Sequence, residues 1–280
     1  MFFSSDNTSA AAPAVMEAVL RANDGHAVPY GADEATGRVE AMVRGIFEAP
    51  EARVFLVATG TAANALALAC LSPPWATIHA PRAAHIELGV CNPPEFFPGG
   101  GTLGLLHGEG AKLSEAGLAA ALAGSAPGVV HASQPGALSL TQATELGAAY
   151  TAEELRALCG LARDAGLPVH MDGTRFAAAL ARSGATPAGM SWKAGVDVLC
   201  LGATKCGAMA AEAVIFFDPA KAWEFELRRK RGGHLFSKMR FVAAQMEAWL
   251  ADGLWLRLAG HANAMADRLA AGIRAAGAEM

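Results

Sequence analysis

Between residues 150 and 205 the chain alternates helix with strand, and no other feature limits its fold as tightly. Thr151 stands as an N-cap with Glu154 three residues on, the two halves of a capping box. Leu155, Leu158, Leu161 and Ala162 then share one helical face, and Gly166 closes the helix. Residues 167–171 predict a short strand that ends on Asp172. Further on, Val196, Val198, Leu199 and Leu201 lie between Gly195 and Gly202, the pattern of an interior strand, and that strand delivers Lys205. Helix and strand in this order predict a parallel sheet, in which ligands sit beyond the carboxyl ends of the strands. Asp172 and Lys205 are therefore expected on one edge. A lysine at a strand end is ordinarily a side chain snorkelling to water; an acidic partner on the same edge makes the functional reading the stronger one.

A lysine and an aspartate so placed suit pyridoxal phosphate, which needs a lysine for its Schiff base and an acid for its ring nitrogen. A phosphate cradle is also present. Residues 54–57 read as a strand, and Ala58-Thr59-Gly60-Thr61-Ala62-Ala63-Asn64 opens the next helix. Amides at a helix start bind phosphate, and glycine lets the backbone approach closely. Each signal alone is weak, since such a turn is often only a cap; the three in this order are specific.

These residues resemble a family. Ser4-Ser5-Asp6-Asn7, Tyr30-Gly31, Thr59-Gly60-Thr61-Ala62-Ala63-Asn64, Ala83-Ala84-His85, Asp172-Gly173-Thr174-Arg175 and Thr204-Lys205 follow the order and spacing of the low-specificity L-threonine aldolases, among the beta-eliminating lyase relatives of the pyridoxal phosphate enzymes of fold type I. The resemblance implies an α/β fold: a large domain at 1–253 with an N-terminal arm, a mostly parallel central sheet and flanking helices. Residues 254–280 would then be a linker helix and the start of a small C-terminal α/β domain, which relatives continue. It implies retro-aldol cleavage of L-threonine or L-allo-threonine to glycine and an aldehyde. Lys205 would hold the cofactor, Asp172 its ring nitrogen, His85 would stack on its ring, and Gly60, Thr61 and Thr204 would surround it. Arg175 and Ser5 would take the substrate carboxylate, with Tyr30 near by. Many of these aldolases carry a histidine where Glu145 stands, so the base for the substrate hydroxyl is Glu145, His85 or a bound water. A basic residue near Arg231 or Lys238 would assist the phosphate. A homo-oligomer, dimer or tetramer, is implied, with sites near subunit boundaries. The cofactor core does not select the reaction, so a related pyridoxal phosphate lyase or aminotransferase, and a cofactor-binding homologue without full catalysis, stand as alternatives.

Composition narrows the class. Of 280 residues 53% are hydrophobic and 17% charged, which suits a large core rather than disorder. A net charge of −4 argues against a nucleic-acid role; the basic run Arg228-Arg229-Lys230-Arg231 reads as a solvated helix end. No apolar run reaches the ~20 residues of a membrane helix, and residues 1–6 lack the layout of a signal peptide. Five cysteines without a C-x-x-C spacing fit reduced thiols and a cytoplasmic protein. Cys206 reads as structural. His170 and Asp172 form an H-x-D pair on one strand face, but without a third ligand no metal is expected; His79 and His107 carry no assignment. The remaining pattern predicts helices at 13–22, 36–47, 112–123, 220–231 and 254–276, strand at 77–79, across 129–140 and at 213–217, and a loop at 92–101.

Overall fold

The computed structural model describes residues 5–277. One sheet contains β1 (Arg53–Val57), β2 (Ala76–Pro81), β3 (Thr102–Leu106), β4 (Gln134–Thr141), β5 (Val169–Gly173), β6 (Val198–Gly202) and β7 (Glu212–Phe216). Their spatial order is β1-β7-β6-β5-β4-β2-β3. Only β7 runs antiparallel to its neighbours; every other pair is parallel. The helices are α1 (Pro13–Ala22), α2 (Glu34–Ile46), α3 (Gly60–Leu71), α4 (Pro93–Phe96), α5 (Glu115–Ala123), α6 (Ala152–Asp164), α7 (Phe176–Ser183), α8 (Ala222–Arg231), α9 (Arg240–Leu250) and α10 (Leu254–Ala275).

Both faces of the sheet are buried, which is why its central strands read as unbroken apolar runs. Val54, Leu56, Leu199, Leu201, Ala213 and Ile215 enter one core, against α1, α2, α6, α7, α9 and α10. Phe55, Val57, Val198, Cys200, Val214 and Phe216, their neighbours in sequence, enter the other against α3 and α8. Ala62 to Leu71 of α3 are buried throughout, and small side chains such as Ala63 and Ala67 let this helix lie close on the sheet.

The capping box of α6 forms as expected: Thr151 Oγ1 accepts from the Glu154 amide at 3.2 Å, and Glu154 accepts from the Thr151 amide at 2.7 Å. Two expectations need correction. The helix predicted from Lys112 starts at Glu115, because Ser114 caps it by accepting from the Gly117 amide; Lys112 instead pairs with Glu154. Residues 129–132 are turn rather than strand, because the Gln134 side chain bonds the Gly128 amide and the Val129 and Ala132 carbonyls and folds them around itself. The loop at 92–101 also holds the single turn α4.

β1, β2, β4, β5 and β6 all end at one edge, and β7 begins there. The segments that leave this edge carry the site.

Candidate active site

Asp172 lies near the end of β5 and points to the α3 face, with 2% of its surface exposed. Its Oδ2 accepts from Asn64 Nδ2 of α3 at 2.8 Å. Its Oδ1 accepts from the Thr174 amide at 3.0 Å and from the Thr174 hydroxyl at 2.7 Å. A carboxylate has about four acceptor positions, so one on Oδ2 remains open. Behind Asn64 stands His170, fully buried two residues earlier on the same strand face. The Asn64 amide nitrogen donates to Asp172, so its Oδ1 accepts from His170 Nε2 at 3.2 Å. That orientation leaves His170 Nδ1 as the acceptor for the Ser139 hydroxyl at 2.9 Å. Burial pushes His170 down to about 4, while the Asp172 charge pulls the other way. The neutral ring is thus one member of a chain that fixes the Asp172 carboxylate.

Lys205 follows β6 on the turn Thr204–Cys206. It lines a cavity of about 240 Å³ with Thr59, Gly60, Thr61, Thr174, Thr204, His85, Asn7 and Glu212. The opposite wall is the start of α3. Thr59 caps it by accepting from the Ala62 amide at 3.2 Å, and the first amides of a helix have no intrahelical partner, so those of Gly60 and Thr61 are available to an anion. A lysine and a helix start around one cavity, with the Asp172 carboxylate directly behind the wall residue Thr174, fit pyridoxal phosphate in chemistry and in charge.

His85 comes from the turn after β2. Burial lowers its basicity, aided by Lys205 and Arg175 and opposed by Asp172, which favours a neutral ring. Its amide donates to Glu145 Oε1 at 2.8 Å, so Glu145 is anchored at the edge rather than mobile. Glu145 Oε2 is buried with no partner among the described residues, and burial raises its pKa. Arg175 pairs through Nε with Asp6 Oδ2 at 2.7 Å. That contact brings the N-terminal arm to the site within one chain, and a backbone bond from Ala12 to the Gly207 carbonyl at 2.8 Å secures it. Ser5 is exposed and caps the arm's own turn, accepting from the Asn7 amide.

Other expected residues stay apart. Tyr30 is 49% exposed, with Lys230 Nζ 4.4 Å from its ring centre and its amide bonded to Ser237. Arg231 lines a different cavity with Phe97 and Glu224, and Lys238 is exposed. Cys206 donates to the Trp255 carbonyl in the core. Larger cavities of about 680 and 520 Å³ lie between α1, α2 and α9 and at the opposite end of β5 and β6, away from Lys205. Three members of the site were not assigned from sequence: Asn64, whose role depends on a residue 108 positions away; His170, set aside for want of metal ligands; and Glu212, whose one signal was a carboxylate opening the apolar run of β7.

The mostly parallel seven-stranded sheet, with the cofactor-type cavity at its strand ends, defines a pyridoxal phosphate enzyme of fold type I. The chain belongs to the beta-eliminating lyase family, whose profile it matches over residues 3–280. It is 43% identical over 268 residues to the low specificity L-threonine aldolase of Pseudomonas aeruginosa, spanning 96% of this chain and 77% of that one. It is 42% identical over 267 residues to the enzyme of that name from a Pseudomonas species, spanning 95% and 76%. A solved threonine aldolase structure from Leishmania major superposes with a TM-score of 0.92 at 27% identity, covering 98% of this chain and 79% of that one.

Proposed function

We propose that this chain is a pyridoxal-phosphate-dependent aldolase of low specificity that cleaves L-threonine and L-allo-threonine to glycine and acetaldehyde. The observation that carries the reading is the convergence of Lys205 and the start of α3 on one cavity, with Asp172 bonded to its wall residue Thr174, in a chain similar to threonine aldolases along most of its length. In that cavity the cofactor supplies an electron sink for the pair released when the Cα–Cβ bond breaks.

The chain's own residues do the rest. Lys205 would hold the cofactor through its amine. Asp172, oriented by Asn64 and Thr174, would accept a hydrogen bond from the protonated ring nitrogen. His85, on the cavity wall, would help hold the cofactor ring. Gly60 and Thr61 would take the anionic end through their amides, with Thr204 on the same cavity wall. Arg175 clamps the substrate carboxylate with Ser5; a planar guanidinium pairs with carboxylates bidentately, and the substrate displaces Asp6. Glu145 removes the proton of the β-hydroxyl: its free Oε2 accepts it, and its raised pKa makes it a stronger base than an exposed glutamate. Tyr30 serves the site of a second copy in a dimer or tetramer. Residues 1–253 form the cofactor-binding domain, and α10 links to a smaller one. Among the described residues no helix is long and apolar enough to cross a membrane, and we place the enzyme in the cytoplasm.

Acetaldehyde release from L-threonine, followed together with the cofactor absorbance band, tests the reaction. Borohydride treatment and peptide mapping should then label Lys205. Bound cofactor without aldehyde release would refute the aldolase assignment, and a label on Lys193 or Lys221 would refute the lysine.

A further inference from the structure

Glu212 is a wall of the cavity to which the proposed reaction gives no task. It opens β7 and pairs in register with Gly202 of β6 and Val57 of β1. Those are the two positions from which the chain leaves for Lys205 and for the Thr59–Thr61 turn. Its side chain is on the α3 face, 4% exposed, and lines the cavity. The space is built for it. A Cβ on Gly202 would sit 2.9 Å from Glu212 Oε2 and 2.7 Å from Thr174 Cα, so only glycine fits opposite. Thr204 Oγ1 accepts from the Ala211 amide at 3.2 Å, which leaves the hydroxyl proton of Thr204 for the neighbouring Glu212 carboxyl.

Glu212 joins none of the ion pairs among the described residues. A buried carboxylate without a cation is costly, and such a group keeps its proton. Burial pushes Glu212 up to about 8; Thr204 pulls it down, Asp172 on β5 pushes further up, and Lys205 after β6 opposes it. His85 is the remaining titratable group on the cavity wall; α3 contributes only Gly60, Thr61 and, behind them, Asn64.

We propose that Glu212 is a further binding residue of the cofactor's anionic end, acting as an uncharged carboxylic acid. Its carbonyl oxygen accepts from Thr204, and its O–H donates into the cavity beside the Thr59–Thr61 amides. Loss of that proton removes a donor and sets a negative charge against the anion. The inference rests on the reading of this cavity as a pyridoxal phosphate site.

The test is a spectral titration of the apoenzyme with pyridoxal phosphate at pH 7, 8 and 9, for wild type and Glu212→Gln. Pyridoxal, which lacks the phosphate, is the control ligand. The quantity read is the ratio of the two dissociation constants, in which the titrations of the ligand, Lys205 and His85 cancel. Wild type should lose affinity relative to the variant by about tenfold between pH 7 and 9, the linkage expected for one group titrating near 8, while the pyridoxal ratio stays flat. A constant ratio for pyridoxal phosphate, or the same trend with pyridoxal, would overturn the role of Glu212. If wild type takes up no pyridoxal phosphate at any pH, the cofactor reading fails and this inference with it. Should Glu212→Gln not fold, Glu212→Met gives the same pH comparison, because it also removes the ionisation.

Discussion

In the proposed reaction Glu145 would meet the substrate hydroxyl with one oxygen, since Oε1 is held by the His85 amide. Strong discrimination between two hydroxyl orientations requires a site that leaves a buried group unpaired with the wrong isomer. A single acceptor would do this weakly, whereas the proposed Arg175 clamp would fix Cα. We expect selectivity for L over D isomers and kcat/KM values for L-threonine and L-allo-threonine within about a hundredfold, 2.7 kcal/mol. A larger preference would mean that a second group grips the hydroxyl. His170 sets a pH limit on the fold itself. Its folded pKa of about 4 lies below the ordinary 6.5, so in acid the unfolded chain binds a proton that the folded chain refuses. Stability from this group is complete above 6.5 and is lost as pH falls from 6.5 toward 4, by up to about 3 kcal/mol. Melting temperatures across that window should fall less for His170→Gln than for wild type; parallel curves would exclude His170 as the source.

Among the helices, α6 has the clearest local signals and α3 the strongest tertiary support. The Thr151–Glu154 box satisfies two amides that would otherwise have no partner at the start of α6. Thr151→Ala should cost about 1 kcal/mol, seen as a lower denaturant midpoint with kcat unchanged, because α6 lies on the sheet face opposite Asp172. A change in kcat would show that α6 also positions the edge. α3 is different: its apolar residues surround it, so no amphipathic stripe marks it, and burial on the sheet holds the Thr59–Thr61 turn in place.

For the molecule as a whole, the site edge is rimmed by exposed apolar side chains. Leu88 is 55% and Leu146 70% exposed, near His85 and Glu145 in the chain. With Tyr30 lying outside the cavity of its own chain, these surfaces support the proposed oligomer. Light scattering of the active enzyme should give a dimer or tetramer mass, and an active monomer would refute the shared site. On the sheet face opposite α3, α10 packs on α7 and ties to it through the Arg182–Asp267 pair. That pair is exposed, so the packing of Trp255 and Ala259 against the core, rather than the charges, holds the helix.

Much of the site was legible in the sequence because its signals are local. Caps act over three residues, strand runs over five, and a parallel sheet sends the end of every such strand to one edge; Asp172, Lys205 and the Thr59–Thr61 turn follow from that, whereas His85 and Arg175 were marked only by the resemblance to the family. The tertiary structure alone decided which side chains meet. Asn64 bridges Asp172 to His170 across more than 100 residues. Asp6 occupies Arg175, the His85 amide pins Glu145, and Glu212 fills the space that Gly202 leaves. Such contacts depend on register between distant strands and on which faces become buried, and a carboxylate's charge state depends on that burial. Neither is encoded in the residues next to it in the chain.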